Sequence, residues 1–368
     1  MITDKELEKK GIKNPEELDA ISITLIAKYV AKSIVNAFPF FNVDYSQLFM
    51  KVARLKMYKA EMELNTSGAS YVYKNEAIYF KNTLSIETMK KLAIHEFIHH
   101  YQQVLDIKGE VKRFGLCDFT QLFTYGKGMN EASVQLISAK ANKEKEEEVR
   151  YFDITFSTIS PDYYPIECNL VRQMDYLVGK EVLFESTMNS NDNFKNAMIE
   201  CTNKKTFYTI QDNLDAIIKT EDKMARISTK IETENVDEKY IVKASRIIGK
   251  CKEKIRILFL QSQNLLITSY FDKAFSKMYS NTEVSDFRKK LYYYRDYIGV
   301  TDKYSFFNQY YINMMERIDK KFGDEPDTKA LIIYKKSIFA IFMEKMKKIW
   351  KSAIRPSSSA YENYDEKE

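Results

Sequence analysis

Apolar positions in this chain recur mostly at three- and four-residue intervals, which predicts a largely helical protein. One stretch breaks that rhythm. From Ala69 to Phe80, two β-rich runs flank a Lys74-Asn75-Glu76 turn, the strongest hairpin signal in the sequence. Ser85 then caps a helix with Glu87 in its first turn. Met89, Leu92, Ala93, Phe97, Tyr101, Val104 and Leu105 keep helical spacing towards a stop at Gly109. After Gly126-Lys127-Gly128 a second helix follows, with Asn130 as cap and Ala132, Val134, Leu136 and Ile137 inside it. A third spans Ile166 to Leu177.

This pattern divides the chain into a helical segment over 1–64, a domain over 65–200 and a C-terminal helical region over 201–355. A disordered tail over 356–368 is Ser-rich, then acidic. An Asn/Ser-rich turn, Ser186 to Asn193, marks the second boundary. The third part is poor in Gly and Pro, with helices expected over Ile241 to Leu266 and Lys329 to Trp350 and breaks at Gly299, Gly323 and Pro326. Ile21 to Phe41 is apolar but carries Lys28, Lys32 and Asn36 at helical spacing, so it reads as a buried amphipathic helix rather than a membrane span. The polar start, Met1 to Lys10, has no signal-peptide core. Aromatic clusters at 291–294 and 306–311 read as helix-packing surface.

With 368 residues, 45% of them hydrophobic, the chain can bury one large core or two moderate ones. Its 57 basic and 52 acidic residues nearly balance, which argues against nucleic acid or a membrane surface as partner. Cys117, Cys168, Cys201 and Cys251 are far apart and have no C-x-x-C spacing. They read as free thiols in a reducing compartment, so the expected location is cytoplasmic.

Histidine supplies the chemistry. The chain has three, all within His95-Glu96-Phe97-Ile98-His99-His100, an H-E-x-x-H motif on the first of the helices above. Residues four apart lie one above the other on a helix, so His95 and His99 can aim at one metal ion. Glu96, turned about a quarter-circle away, is placed to take a proton from a water whose pKa zinc lowers to about 7. His100 points off the shared face. The expectation is a zinc-dependent hydrolase acting on peptide bonds, with a peptide or protein as substrate.

A catalytic zinc takes three protein ligands, and no further histidine exists. The extended motif would need Gly and His where Gln102 and Leu105 stand. The third ligand is therefore expected to be a carboxylate. Glu131 on the second helix is the first candidate and Asp118 the next, with Asp106 and Glu110 as rivals near the end of the motif helix. Glu144 to Glu148 reads as a solvated face.

His95-Glu96-x-x-His99 followed by Asn130-Glu131-Ala132 resembles the gluzincin branch of zincin metallopeptidases over roughly residues 65 to 185. The resemblance implies a zincin-like domain with a small sheet, and with the helical pattern of the C-terminal region the expected fold is α+β, mostly helical. The resemblance further implies Zn²⁺ on His95, His99 and Glu131, Glu96 as general base, and a tyrosine as oxyanion donor, with Tyr163, Tyr164 and Tyr176 as candidates. Two features depart from the pattern: 31 residues separate His99 from Glu131, and Gln135 stands where an acidic residue often follows the third ligand. Gln135 can still accept a hydrogen bond from a ligating imidazole. The exposed edge of the hairpin is a candidate surface for an extended substrate. Two other readings stay open: a non-catalytic zincin-fold interaction module, and a regulatory protease of the repressor-cleaving type.

Overall fold

Short helix α1 (Asp4–Glu8) and strand β1 (Ile12–Glu17) precede the apolar helix α2 (Ala20–Ala37) and helix α3 (Tyr45–Ala53). Strand β2 (Lys56–Met62) follows, then the expected hairpin, β3 (Ala69–Val72) and β4 (Ala77–Lys81). The first 64 residues are thus not all helical. β2 buries Met57, Ala60 and Met62 and pairs with β1 on one side and β4 on the other. Partners distant in sequence decide its state, which a local helical period does not register. The sheet runs β1–β2–β4–β3, with β2 and β4 parallel and the other pairs antiparallel. This computed structural model describes residues 3–62, 68–120, 123–298 and 306–322. The Lys329–Trp350 helix, the breaks at Gly299, Gly323 and Pro326 and the tail at 356–368 lie outside them.

Helix α4 (Ile86–Tyr101) starts as expected, with the Ser85 hydroxyl accepting the Thr88 N–H. Its end differs. The helix stops at a Gln102 cap, and the next residues form β5 (Gln103–Leu105), paired with β6 (Val111–Phe114). Val104 and Leu105 extend the helical period but stay exposed, at 37% and 46%, so no core contact pulls them into the helix. Gly109, at φ +77°, serves the β5–β6 turn rather than a helix stop. Strands β7 (Cys117–Phe119) and β8 (Thr124–Tyr125) complete an antiparallel meander.

Helix α5 (Lys127–Ala141) leads into a second hairpin, β9 (Glu147–Tyr151) and β10 (Ile154–Thr158), and then α6 (Pro165–Val178). Helices α7 (Lys180–Asn189) and α8 (Asn193–Cys201) follow, then the long α9 (Lys204–Thr233) and α10 (Glu238–Ser276), and α11 (Asn281–Ile298). Helix α12 spans Phe306–Phe322. The chain forms two units, Met1–Gln309 and Tyr310–Glu368; the site described below lies wholly within the first. The fold is α+β and mostly helical, with small sheets.

One apolar cluster supports the motif helix. Ile26, Val30 and Ile34 of α2, Ile78 and Phe80 of β4, Met89, Ala93 and Phe97 of α4, Val134 and Ile137 of α5, and Phe184 of α7 pack together. By length and composition α2 could cross a bilayer, but its Ile26-Ala27-Val30-Ala31-Ile34 stripe is buried in this cluster. At about 1.5–3 kcal/mol per buried large aliphatic or aromatic side chain, this core fixes the back of α4 and leaves its histidine face to the cleft.

Candidate metal centre

His95 and His99 sit one turn apart on α4, and their Nε2 atoms lie 3.0 Å from each other. Glu131, in the second turn of α5, brings Oε2 to 3.5 Å from the His95 Nε2 and 3.4 Å from the His99 Nε2. A tetrahedral zinc with bonds of about 2.0–2.1 Å requires ligand atoms about 3.4 Å apart. The two imidazole–carboxylate separations match that value and the two imidazole nitrogens stand somewhat closer, with all three donors within 4.8 Å of one another. Their chemistry also fits, since two imidazoles and one carboxylate form a recognised donor set for a catalytic zinc.

Each imidazole is held from behind. The Nδ1 of His95 lies 2.9 Å from Oε1 of Gln135, whose Nε2 donates to the Ser160 hydroxyl. Gln135 thus stands where the sequence places it. The Nδ1 of His99 lies 2.9 Å from the Gln102 amide nitrogen. The charges of the cluster act on one another. Burial pushes the Glu131 carboxyl up, but the His99 charge and hydrogen bonds from both imidazoles outweigh it and hold it well below the usual carboxylate range. Burial alone would lower His95, but its hydrogen bond to Glu131 and the charges of Glu96 and Glu131 raise it overall.

Glu131 owes its position to a residue far along the chain. Helix α5 begins at Gly126, φ +78°, with no side-chain cap of its own. Instead the Asp215 carboxylate of α9 accepts the N–H groups of Gly126 and Gly128 at 2.8 and 2.7 Å. A Cβ on Gly128 would come within 2.6 Å of the Leu214 carbonyl, so α9 can approach only a glycine there. Asn130, expected as the cap, lies inside the helix, and its Oδ1 accepts the Leu116 N–H at 3.0 Å.

Glu96 is 7% exposed and lines the same cleft; its Oε2 accepts the Tyr71 backbone N–H at 2.7 Å. Tyr71 also donates its hydroxyl to Gln103 and stands 3.0 Å from Nδ1 of His100. His100 is therefore occupied by the hairpin and is separate from the ligand cluster. Burial, with Lys51 adding to it against the charge of Glu76, lowers its pKa.

The rival acids lie elsewhere. Asp118 on β7 stands 3.6 Å from the Arg113 Nε. Asp106 accepts the N–H groups of Lys108 and Glu110 in the β5–β6 turn, because the helix expected to carry it has already ended. Of the three tyrosines, Tyr176 donates to the Lys290 carbonyl and stacks on Tyr297, away from the cluster. Tyr163 and Tyr164 line the cleft. The Tyr164 ring stacks 6.5 Å from that of His95. The negative charge of Glu131, with burial, pushes its phenol well up, which keeps it a proton donor.

The cluster opens on a cleft of about 710 Å³, walled by β3, by Phe114 and Phe119 of the meander, and by the segment leading to Tyr164. Sequence reasoning missed Gln102, Tyr71 and Asp215. Only Gln102 carried a local signal, three positions after His99 and hence on the same helix face. Comparison with known proteins finds no match to this chain among family models, curated proteins or solved structures.

Proposed function

We propose that this protein is a zinc-dependent hydrolase that cleaves peptide bonds, working in a reducing compartment such as the cytoplasm. The observation that carries the reading is the convergence of His95, His99 and Glu131 on one point in a cleft that also holds the Glu96 carboxylate. His95 Nε2, His99 Nε2 and Glu131 Oε2 would hold the ion. When bound, zinc supplies Lewis-acid charge at the reacting carbonyl and makes water there more acidic.

This chain's residues supply the rest. Glu96 takes a proton from the attacking water and returns it to the leaving amine, with its second oxygen steadied by the Tyr71 N–H. Tyr164, kept protonated by its surroundings, is the better placed of the two cleft tyrosines to donate to the developing oxyanion. The cleft volume suits a short peptide segment rather than a whole folded chain. All four cysteines are free thiols, which supports the compartment.

The test compares wild type with Glu96→Gln by zinc content and by a proteome-wide cleavage screen. The variant should keep zinc and lose turnover. Equal cleavage by both would remove Glu96 from the mechanism, and no cleavage by the zinc-loaded wild type would count against a peptidase.

A further inference from the structure

Gln102 caps α4 and is 1% exposed. Its surroundings are built around it. Ser190 donates its hydroxyl to the Gln102 carbonyl and accepts the Gly115 N–H. A Cβ on Gly115 would stand 2.3 Å from both Oε1 of Gln102 and Oδ1 of Asn130, so the glycine makes room for both side-chain oxygens. Gly115 also takes φ +51°, which disfavours any other residue there.

Within this pocket the amide can point two ways. With Nε2 towards His99, the Nδ1 of the ring must be the acceptor, so the ring proton sits on Nε2 and faces Glu131. That orientation leaves Oε1 of Gln102 buried without a partner. A half-turn of the amide exchanges two groups of nearly equal size and gives the buried oxygen a partner. Oε1 then accepts a proton from Nδ1, and the NH₂ takes the place beside Gly115 that Oδ1 of Asn130 also borders. It also bares Nε2 towards Glu131, matching His95, where Oε1 of Gln135 already meets Nδ1.

We propose that Gln102 is the positioning residue for His99 as a metal ligand, its side-chain oxygen accepting the Nδ1 proton so that Nε2 is free to bind. This rests on the zinc reading above and adds that both ligand imidazoles are braced by neutral amides, one from each helix, rather than by carboxylates.

The full-length protein, Gln102→Leu and Gln102→Glu are titrated with zinc against a chromophoric chelator, with circular dichroism to check folding. Long-range ¹H–¹⁵N spectra of the zinc-loaded wild type report which His99 nitrogen carries the proton. Gln102→Leu should bind zinc about 10- to 100-fold more weakly, and Gln102→Glu, which keeps an acceptor, should bind at least as tightly as wild type. The wild-type spectrum should show His99 protonated at Nδ1. Equal affinity for all three proteins, equal losses in both variants, or a proton on Nε2 of His99 would each overturn the proposal. If the wild type itself binds no zinc, the hydrolase reading fails first and this one with it.

Discussion

The backbone N–H of Tyr71 donates to Oε2 of Glu96 at 2.7 Å, tying the strand that walls the cleft to the carboxylate beside the metal ligands. The same residue clamps the end of α4 through its hydroxyl, which reaches His100 and Gln103. Tyr71→Phe keeps the first link and loses the second. It should cost about 1–2 kcal/mol of stability in urea unfolding while zinc affinity stays within about twofold of wild type. A large fall in affinity would mean that the clamp also sets the ligand geometry.

Asp215 joins α9 to the helix that carries Glu131, and its removal strands the N–H groups of Gly126 and Gly128. Asp215→Ala should lower stability by about 1–3 kcal/mol and weaken zinc binding, because Glu131 loses its anchor. Asp215→Asn, which keeps one acceptor, should fall between. Zinc affinity unchanged in Asp215→Ala would show that α5 holds its place without α9.

These two links show what the sequence could and could not disclose. The motif, the Ser85 cap and the hairpin were legible because each rests on local chemistry: spacing on one helix, a capping side chain, an alternating run. Glu131 was singled out only as a carboxylate on the next helix, and the fold brings it beside the two imidazoles. The end of α4 was not legible, because Val104 and Leu105 keep a helical period but find their partners in β6. Strand β2 was hidden for the same reason, its neighbours lying before and after it in the chain. The part that α9 plays at α5 depends on a carboxylate more than eighty residues away, and no local pattern announces it.

A buried acid pair gives the protein a pH signature apart from the metal cluster. Glu167 on α6 is fully buried near Glu221 of α9, which accepts the Tyr151 hydroxyl at 3.0 Å. Burial, then the neighbouring Glu221 charge, raises the Glu167 carboxyl well above its ordinary value, and burial raises Glu221 too. A raised carboxyl favours the fold when protonated. Its contribution is complete below the unfolded value of about 4.3 and is lost as pH rises through the higher folded value. Glu167→Gln mimics the protonated acid, so its advantage over wild type in urea unfolding should grow from pH 5 to pH 8. Parallel stability profiles for the two proteins would place the proton elsewhere.

Removing the third ligand should separate binding from folding. Glu131→Ala leaves two imidazoles, and zinc affinity should fall by more than the about 10- to 100-fold that loss of a residue behind a ligand costs, with helix content unchanged by circular dichroism.

The most direct measurement is X-ray absorption at the zinc edge on the purified, metal-loaded protein, with stoichiometry by elemental analysis. The account predicts one zinc per chain, two imidazole nitrogens at about 2.0–2.1 Å and oxygen ligands at about 2.0–2.2 Å, with the imidazole signal reduced in His99→Ala. Substoichiometric metal, or a zinc shell without paired imidazoles, would contradict it.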